Sequence, residues 1–119
     1  MIDKEQLLEW DPEFIFVDES GLSMVLEDYA ENPGLYASLQ AVKTGRLYGY
    51  LPYNYYTTNL DTAIADAYFI GTVVYPDAFR DIDPVAKARE IYRFLVGEDT
   101  YQAMSRDFGG FTRLTLGKP

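Results

Sequence analysis

The chain has 119 residues, enough for one globular domain with a modest core. It contains no cysteine and no histidine, which excludes disulfides, thiolate nucleophiles, Cys/His zinc sites and histidine general bases. The formal net charge of -9 argues against nucleic acid and against anionic membranes as direct partners, because both favour a basic surface.

The first half of the chain predicts helices that alternate with two strands. A short helix is expected at 3–9 with Asp3 as its N-cap, and the apolar run at 14–17 is typical of a strand buried on both faces. An amphipathic helix is expected at 22–31 and a second strand at 47–51. Because a helix joins two hydrophobic strands, we expect a right-handed βαβ unit with parallel strands.

The second half of the chain predicts mainly helix. The expected helices lie at 58–75, 84–96 and 100–108, and a terminal strand or docked tail follows at 111–116. Thr58 and Asp61 have the spacing of a capping box, and Gly71 is expected to mark close packing on the sheet. Asp83 should cap the next helix, which Gly97 should end, and Tyr92 should lie in the core. The predicted fold class is α/β, a small parallel sheet flanked by helices.

The loops after the two predicted strands carry the candidate binding residues. In an open parallel sheet, ligands bind beyond the carboxyl ends of the strands, so the loops at 18–21 and 52–59 should share one rim. Tyrosine rings provide large contact area at low entropic cost, and each ends in a hydroxyl. The candidate ligand-binding residues are Asp18, Glu19, Ser20, Tyr53, Asn54, Tyr55, Tyr56, Thr57, Thr58 and Asn59.

Three other interpretations of these loops stay open. The tyrosines at 53–56 could simply pack beneath the loop, or they could bind a protein partner through a large apolar patch. Asp18 and Glu19 could instead be an acid-base pair of a small enzyme domain. An enzyme predicts a closed, deep polar pocket with perturbed carboxylate pKa values, whereas a binding lobe predicts a shallow open rim.

Three segments resemble one protein family. The segment Glu5-Gln6-Leu7-Leu8-x-x-Asp11-Pro12-x-Phe14-Ile15-Phe16 resembles the helix–strand opening of substrate-binding proteins of ABC importers for iron-siderophore, haem and vitamin B12. The segment at 39–48 is similar to their "Ala-Val-Lys-x-Gly-Arg-Val-Tyr" signature, and the segment at 51–63 resembles an iron-complex subgroup. The combination covers most of the chain, and it is more specific than any single segment.

The resemblance implies a Rossmann-like single lobe of a two-lobed protein whose ligand lies between the lobes. Residues 1–119 resemble the C-terminal lobe, so we expect an excised domain whose partners are an N-terminal lobe and a membrane permease. The resemblance also implies an extracytoplasmic location, although no secretory signal is seen at 1–5. Glu5 lies on the helix that carries the family's permease-contacting glutamate, and a solvated helix charge is the alternative for that residue.

The resemblance implies an iron complex, such as a ferric siderophore, as ligand and no resident cofactor. Tyrosines and carboxylates are hard oxygen donors for ferric iron, and tyrosine rings could equally stack on a catecholate. Because some relatives carry oxyanions, molybdate or tungstate is the alternative ligand. Arg46 and Arg113 would serve an anionic ligand if they reached the cleft.

Overall fold

The computed structural model of the chain describes residues 3–55 and 57–117, with Tyr55 and Thr57 described by their backbone only. The described part contains the helices α1 Lys4–Trp10, α2 Leu22–Glu31, α3 Pro33–Ser38, α4 Gln40–Lys43, α5 Leu60–Val74, α6 Pro84–Val96 and α7 Tyr101–Phe108, and a 3-10 turn at Glu19–Gly21. Its strands are β1 Ile15–Asp18, β2 Leu47–Tyr50, β3 Asn54–Tyr55, β4 Thr57–Thr58 and β5 Thr112–Arg113. The predicted α/β class is confirmed.

The main sheet has three strands in the order β1-β2-β5. Strands β1 and β2 are parallel, with Ile15 opposite Leu47 and Asp18 opposite Tyr50, so the expected parallel pair is confirmed. Strand β5 runs antiparallel to β2 and makes the sheet mixed. The segment at 111–116 therefore contributes a short strand to the sheet.

Strand β1 is half-buried along its whole length, which corrects the prediction of burial on both faces. Within the described residues it is an edge strand, hydrogen-bonded to β2 on one side only. Its aromatic side chain Phe16 stacks beside Tyr48 of β2, with ring centroids 5.6 Å apart, and both rings meet Phe69 of α5 edge-on. Helix α5 thus covers this face of the sheet.

Local capping follows the sequence at several helix ends. The Asp3 carboxylate accepts a hydrogen bond from the Glu5 amide at 3.0 Å. The Asp83 carboxylate accepts from the Val85 amide at 2.9 Å and starts α6, and Gly97 ends α6 in the left-handed region at φ 80°. These predictions are confirmed because a cap depends on residues within one helical turn.

The predicted capping box at the start of α5 is wrong. Thr58 belongs to strand β4, which pairs with β3, and the helix begins at Leu60 with Asn59 at the N-cap position. The Asp61 carboxylate instead accepts a hydrogen bond from the adjacent Thr62 amide at 2.8 Å. Strand pairing commits the Thr58 backbone to an extended conformation and moves the helix start two residues along the chain.

The core lies between α5, α6 and α7. Its buried centre consists of Leu51, Ala65, Ala88, Tyr92 and Tyr101. The Tyr92 hydroxyl lies 2.9 Å from the Thr62 hydroxyl, so this buried polar group has a partner. The predicted core position of Tyr92 is confirmed.

Gly71 on α5 marks close packing, as predicted, but against the following turn and not against the sheet. A Cβ there would lie 2.6 Å from the Phe79 ring, whereas a Cβ at Gly34 on α3 would meet nothing within 4 Å. We expect Gly71→Ala to lower the free energy of unfolding by about 1–2 kcal/mol, because overpacking outweighs the gain in helix propensity. Gly34→Ala should be neutral or stabilising. Urea unfolding of both variants tests this, and equal effects would contradict it.

Candidate functional site

The carboxyl ends of β1 and β2 lie at the same edge of the sheet, because the strands are parallel and Asp18 is opposite Tyr50. The 3-10 turn leaves β1 at this edge, and the segment at 51–59 leaves β2 there. We call residues 18–20 and 50–59 the rim. The prediction that these two segments share one edge is confirmed, except that Tyr56 lies outside the described residues.

The tyrosine-rich segment of the rim is a small hairpin and not an irregular loop. Strands β3 and β4 pair antiparallel with Asn54 opposite Thr58, and the Asn59 amide closes the hairpin on the Tyr53 carbonyl at 2.6 Å. Asn54 and Thr58 are exposed. Tyr53 is 38% exposed and stacks on Tyr50 with ring centroids 6.3 Å apart. The hairpin thus presents polar residues and one stacked tyrosine to solvent.

Asp18 lies on the rim and also caps the turn that follows β1. Its Oδ1 atom accepts hydrogen bonds from the Ser20 amide at 2.9 Å and from the Ser20 hydroxyl at 2.7 Å. These bonds cap the 3-10 turn that follows β1. The turn is thereby fixed at the strand end, and it directs the next side chain, Glu19, inward.

Glu19 points into the protein and not toward the exposed rim. The residue is 6% exposed, and neither carboxyl oxygen makes a hydrogen bond of ordinary geometry within the described residues. Its carboxyl lies against Gly49 and Gly109, whose missing side chains leave the space that it occupies. Burial raises the pKa of Glu19 to about 7, an effect that the Gly110 amide opposes and the Asp18 charge reinforces.

Asp66 on α5 is a second buried carboxyl at the rim, and the sequence analysis missed it. It is 3% exposed; Oδ1 accepts a hydrogen bond from the Leu51 amide at 3.0 Å, whereas Oδ2 has no hydrogen-bond partner in the described part of the chain. Burial raises its pKa to about 8; the Leu51 amide opposes this, and the charges of Asp18 and Glu19 add to it. The sequence feature that could have indicated this buried carboxyl is an aspartate in the middle of a strongly apolar helix.

Two open grooves adjoin the rim. The larger, which we call the aromatic groove, has a volume of about 330 Å³ and is lined by Phe16, Tyr50, Tyr53, Ala63, Asp66 and Ala67, with Ile70 at its end. The smaller, of about 190 Å³, is lined by Asn59 together with Pro52, Asp61 and Thr62 and residues of α7. The predicted rim residues therefore divide between two neighbouring grooves, with Tyr53 in one and Asn59 in the other.

Neither of the two arginines considered for an anionic ligand is among the described residues that line the aromatic groove. Arg46 directly precedes β2, at the opposite end of the strand from the rim, where it pairs with Glu13 and lies over the Phe14 ring. The Arg113 guanidinium lies over the Tyr48 ring, 5.9 Å from its centroid. The lining of the groove thus combines the Asp66 carboxyl group with three aromatic rings, and these two arginines are not part of it.

Glu5 is an exposed residue of α1, so its charge faces solvent. Its proposed contact with a permease stays a prediction. The described residues contain no cluster of three or more carboxylates able to hold a metal ion. Among them, too, no helix has both the length and the apolar character needed to cross a membrane.

A comparison with models of known protein families found no match to this chain, and a comparison with curated protein sequences found none either. The relation to importer binding proteins therefore depends on the sequence segments at 5–16, 39–48 and 51–63, and it stays a prediction.

Proposed function

We propose that this chain is one lobe of an extracytoplasmic solute-binding protein that captures an iron complex, such as a ferric siderophore, for an ABC importer. The observation that carries the proposal is the rim. Asp18, Tyr50, Tyr53 and the β3–β4 hairpin all lie at the carboxyl edge of one parallel strand pair. This is the edge at which open α/β sheets bind ligands.

The extent of exposed surface supports a second lobe. The chain exposes 7747 Å², whereas a compact protein of this mass exposes about 6,600 Å². Its radius of gyration is 15.1 Å, compared with about 13.5 Å for a compact domain of this length. Strand β1 has an open edge in the described structure, and Trp10 and Leu60 are each more than half exposed. A further lobe could cover such apolar residues or pair with the open edge of β1.

An enzyme is the other class that one observation favours, since both Glu19 and Asp66 have pKa values raised into the range of general acids and bases. The Glu19 carboxyl, however, faces Gly49 and Gly109 in the interior and not a groove. Both grooves at the rim are open and mainly apolar. Neither groove is the deep polar pocket that catalysis would need, so we favour binding.

The proposal includes a membrane permease as partner and Glu5 as a contact residue. Glu5 is exposed on α1, at the surface of the lobe. A carboxylate in such a position can form ion pairs with arginines of a permease. Molybdate and tungstate are less favoured as ligands, because the rim presents carboxylates and Arg46 lies at the other end of the strands.

The test titrates the full-length gene product, including the proposed second lobe, with ferric siderophores, haem, cobalamin and molybdate while tyrosine and tryptophan fluorescence is followed. We expect saturable binding of at least one iron chelate. Tyr53→Ala should weaken it about tenfold, because a stacked aromatic contact is worth about 1–1.5 kcal/mol. Tyr75→Ala is the matched control, since Tyr75 is an exposed tyrosine away from the rim.

Failure of all iron chelates to bind the full-length protein would overturn the proposed ligand. Equal effects of Tyr53→Ala and Tyr75→Ala would show that the rim does not contact the ligand. Turnover of any added chelate, detected as a change in its mass, would favour the enzyme.

A further inference from the structure

The aromatic groove has a composition that selects for one kind of ligand group. Its walls come from three different elements, with Phe16 on β1, Tyr50 on β2 and Tyr53 on the segment before the hairpin. Helix α5 supplies the floor, where Ala63 and Ala67 leave room beside Asp66. A volume of about 330 Å³ is enough for a functional group of several heavy atoms, at the lower end of known ligand pockets.

Asp66, one of the residues that line this groove, has a buried carboxyl oxygen without a hydrogen-bond partner in the described structure. The residue is only 3% exposed, and its Oδ1 atom accepts a hydrogen bond from the Leu51 amide at 3.0 Å. The other oxygen, Oδ2, has no hydrogen bond in the described structure. A buried carboxyl oxygen without a donor is energetically costly, and a ligand that supplies an N–H donor would remove that cost.

The electrostatic surroundings favour a positively charged donor. Asp18 and Glu19 both act on Asp66 with the same sign of charge, and the described residues that line the groove include no lysine or arginine. A cation in the groove would relieve the repulsion among these carboxyls, whereas an oxyanion would increase it. The three aromatic rings add to this preference, because aromatic faces attract ammonium and guanidinium groups.

We propose that the aromatic groove binds an alkylammonium group, paired with the free oxygen of Asp66 and surrounded by Phe16, Tyr50 and Tyr53. The inference rests on the proposed function and deepens it, since it names the captured solute as an amine-bearing molecule, for instance a chelate with a pendant amine. Catecholate and oxyanion ligands, which are negatively charged, would be excluded from this groove.

The test uses this chain with butylammonium as probe and 1-butanol as its neutral counterpart, followed by amide chemical shifts in ¹H–¹⁵N NMR spectra. The Leu51 amide is the reporter, because it donates directly to Asp66. We expect a saturable shift of the Leu51 signal with butylammonium, at least tenfold weaker binding of 1-butanol, and no shift with molybdate.

Two substitutions locate the binding. Asp66→Asn should weaken butylammonium binding at least tenfold, and Tyr53→Leu should weaken it about fivefold. Asp61→Asn is the matched control, since Asp61 lies on the same helix but lines the smaller groove. Asp61→Asn should leave the affinity for butylammonium unchanged. A spectrum like that of the native protein will show that each variant is folded.

Proton release gives a readout that a merely structural Asp66 would not produce. The ionisable groups around Asp66 are Asp18 on β1, Glu19 on the 3-10 turn, Tyr50 on β2 and Tyr92 on α6. Because burial keeps the Asp66 carboxyl protonated near neutral pH, pairing with an ammonium group should release a proton. Butylammonium affinity should therefore increase from pH 6 to pH 9, and the increase should disappear in Asp66→Asn.

Equal affinity for 1-butanol, or binding unchanged in Asp66→Asn, would overturn the inference. If these failures occur while the full-length protein still binds a ferric chelate, the proposed function stands and only the ammonium site is lost. Conversely, butylammonium binding without binding of any chelate supports the site and overturns the iron ligand.

Discussion

Asp66→Asn is expected to stabilise the protein by about 3 kcal/mol at pH 9 and to destabilise it by about 1 kcal/mol at pH 4.5. The native carboxyl is buried, and its pKa is raised from 3.8 to about 8. This pKa difference means that the folded protein favours the protonated over the ionised Asp66 by about 5–6 kcal/mol more than the unfolded chain does. Asparagine keeps the acceptor for the Leu51 amide but adds a buried N–H₂ group that costs about 1–3 kcal/mol.

The sign follows from proton binding. Between pH 3.8 and about pH 8 the folded protein holds a proton on Asp66 that the unfolded chain has released. The free energy of unfolding therefore falls as pH rises through this range, and the stabilising contribution is fully present only below pH 3.8. Asparagine cannot ionise, so the free energy of unfolding of the variant does not fall with pH in this way. Plotted against pH, the unfolding free energies of the variant and of the native protein should cross at about pH 5–6.

Urea unfolding at intervals from pH 4.5 to pH 9, followed by circular dichroism, measures both curves. Asp77→Asn is the control, because Asp77 is an exposed carboxylate in the turn after α5. Its curve should stay within about 0.5 kcal/mol of the native one. Parallel curves for Asp66→Asn and the native protein would mean that the Asp66 carboxyl is ionised and compensated in the folded state.

Predictions that depended on one or two turns of chain were the reliable ones. The helix Leu22–Glu31 has the predicted bounds, and Asp3, Asp83 and Gly97 cap or end helices as expected. The parallel pair β1–β2 also followed from the order of strand, helix and strand. The helix bounds and caps are encoded in apolar periodicity and in capping chemistry, which act over short distances along the chain.

The rim shows where local patterns were insufficient. Its two segments were predicted to converge, and they do, but Glu19 turns inward because Gly49 and Gly109, remote in sequence, leave space for its carboxyl. Asp66 joins the rim only because α5 packs against the ends of the strands. The local pattern predicts Thr58 as a helix cap, whereas in the structure Thr58 pairs with Asn54 in a hairpin that the sequence does not indicate.

Both buried carboxyls link the fold to the proposed ligand site. Asp66 lines the aromatic groove, Glu19 lies against Gly49 of β2, and the charge of Glu19 helps to raise the pKa of Asp66. Ionisation of such a buried carboxyl is costly in the protein alone, and a cationic ligand can stabilise the ionised form. The stability lost between pH 3.8 and about pH 8 and the affinity gained for an ammonium group thus have the same origin.

Gly109→Ala is expected to lower the free energy of unfolding by about 3–4 kcal/mol. Gly109 follows α7 with φ 124°, a backbone conformation that L-residues rarely adopt. A Cβ there would also overlap the Glu19 carboxyl, well inside van der Waals contact. Backbone strain of about 1–2 kcal/mol and overpacking of about 1–3 kcal/mol act together.

Gly97→Ala separates these two causes. Gly97 likewise follows a helix with positive φ, at 80°, but a Cβ there would meet nothing within 4 Å. Its replacement should cost only about 1 kcal/mol, the strain of the backbone alone. In a double-mutant cycle, Glu19→Ala should recover about 2 kcal/mol of the loss in Gly109→Ala and none of the loss in Gly97→Ala. Purely additive effects would show that Gly109 and Glu19 do not compete for space.

The cost of Gly109→Ala should also depend on pH. In the native protein the Glu19 carboxyl is buried and its pKa is about 7, so its stabilising contribution is present below pH 4.5 and is lost as pH rises through about 7. An alanine side chain would push that carboxyl toward water, where its pKa falls toward 4.5 and ionisation carries little penalty. The loss of stability should therefore be greater at pH 5 than at pH 8.5. An equal loss at both pH values would mean that the Glu19 carboxyl stays buried and that β5 or α7 moves instead.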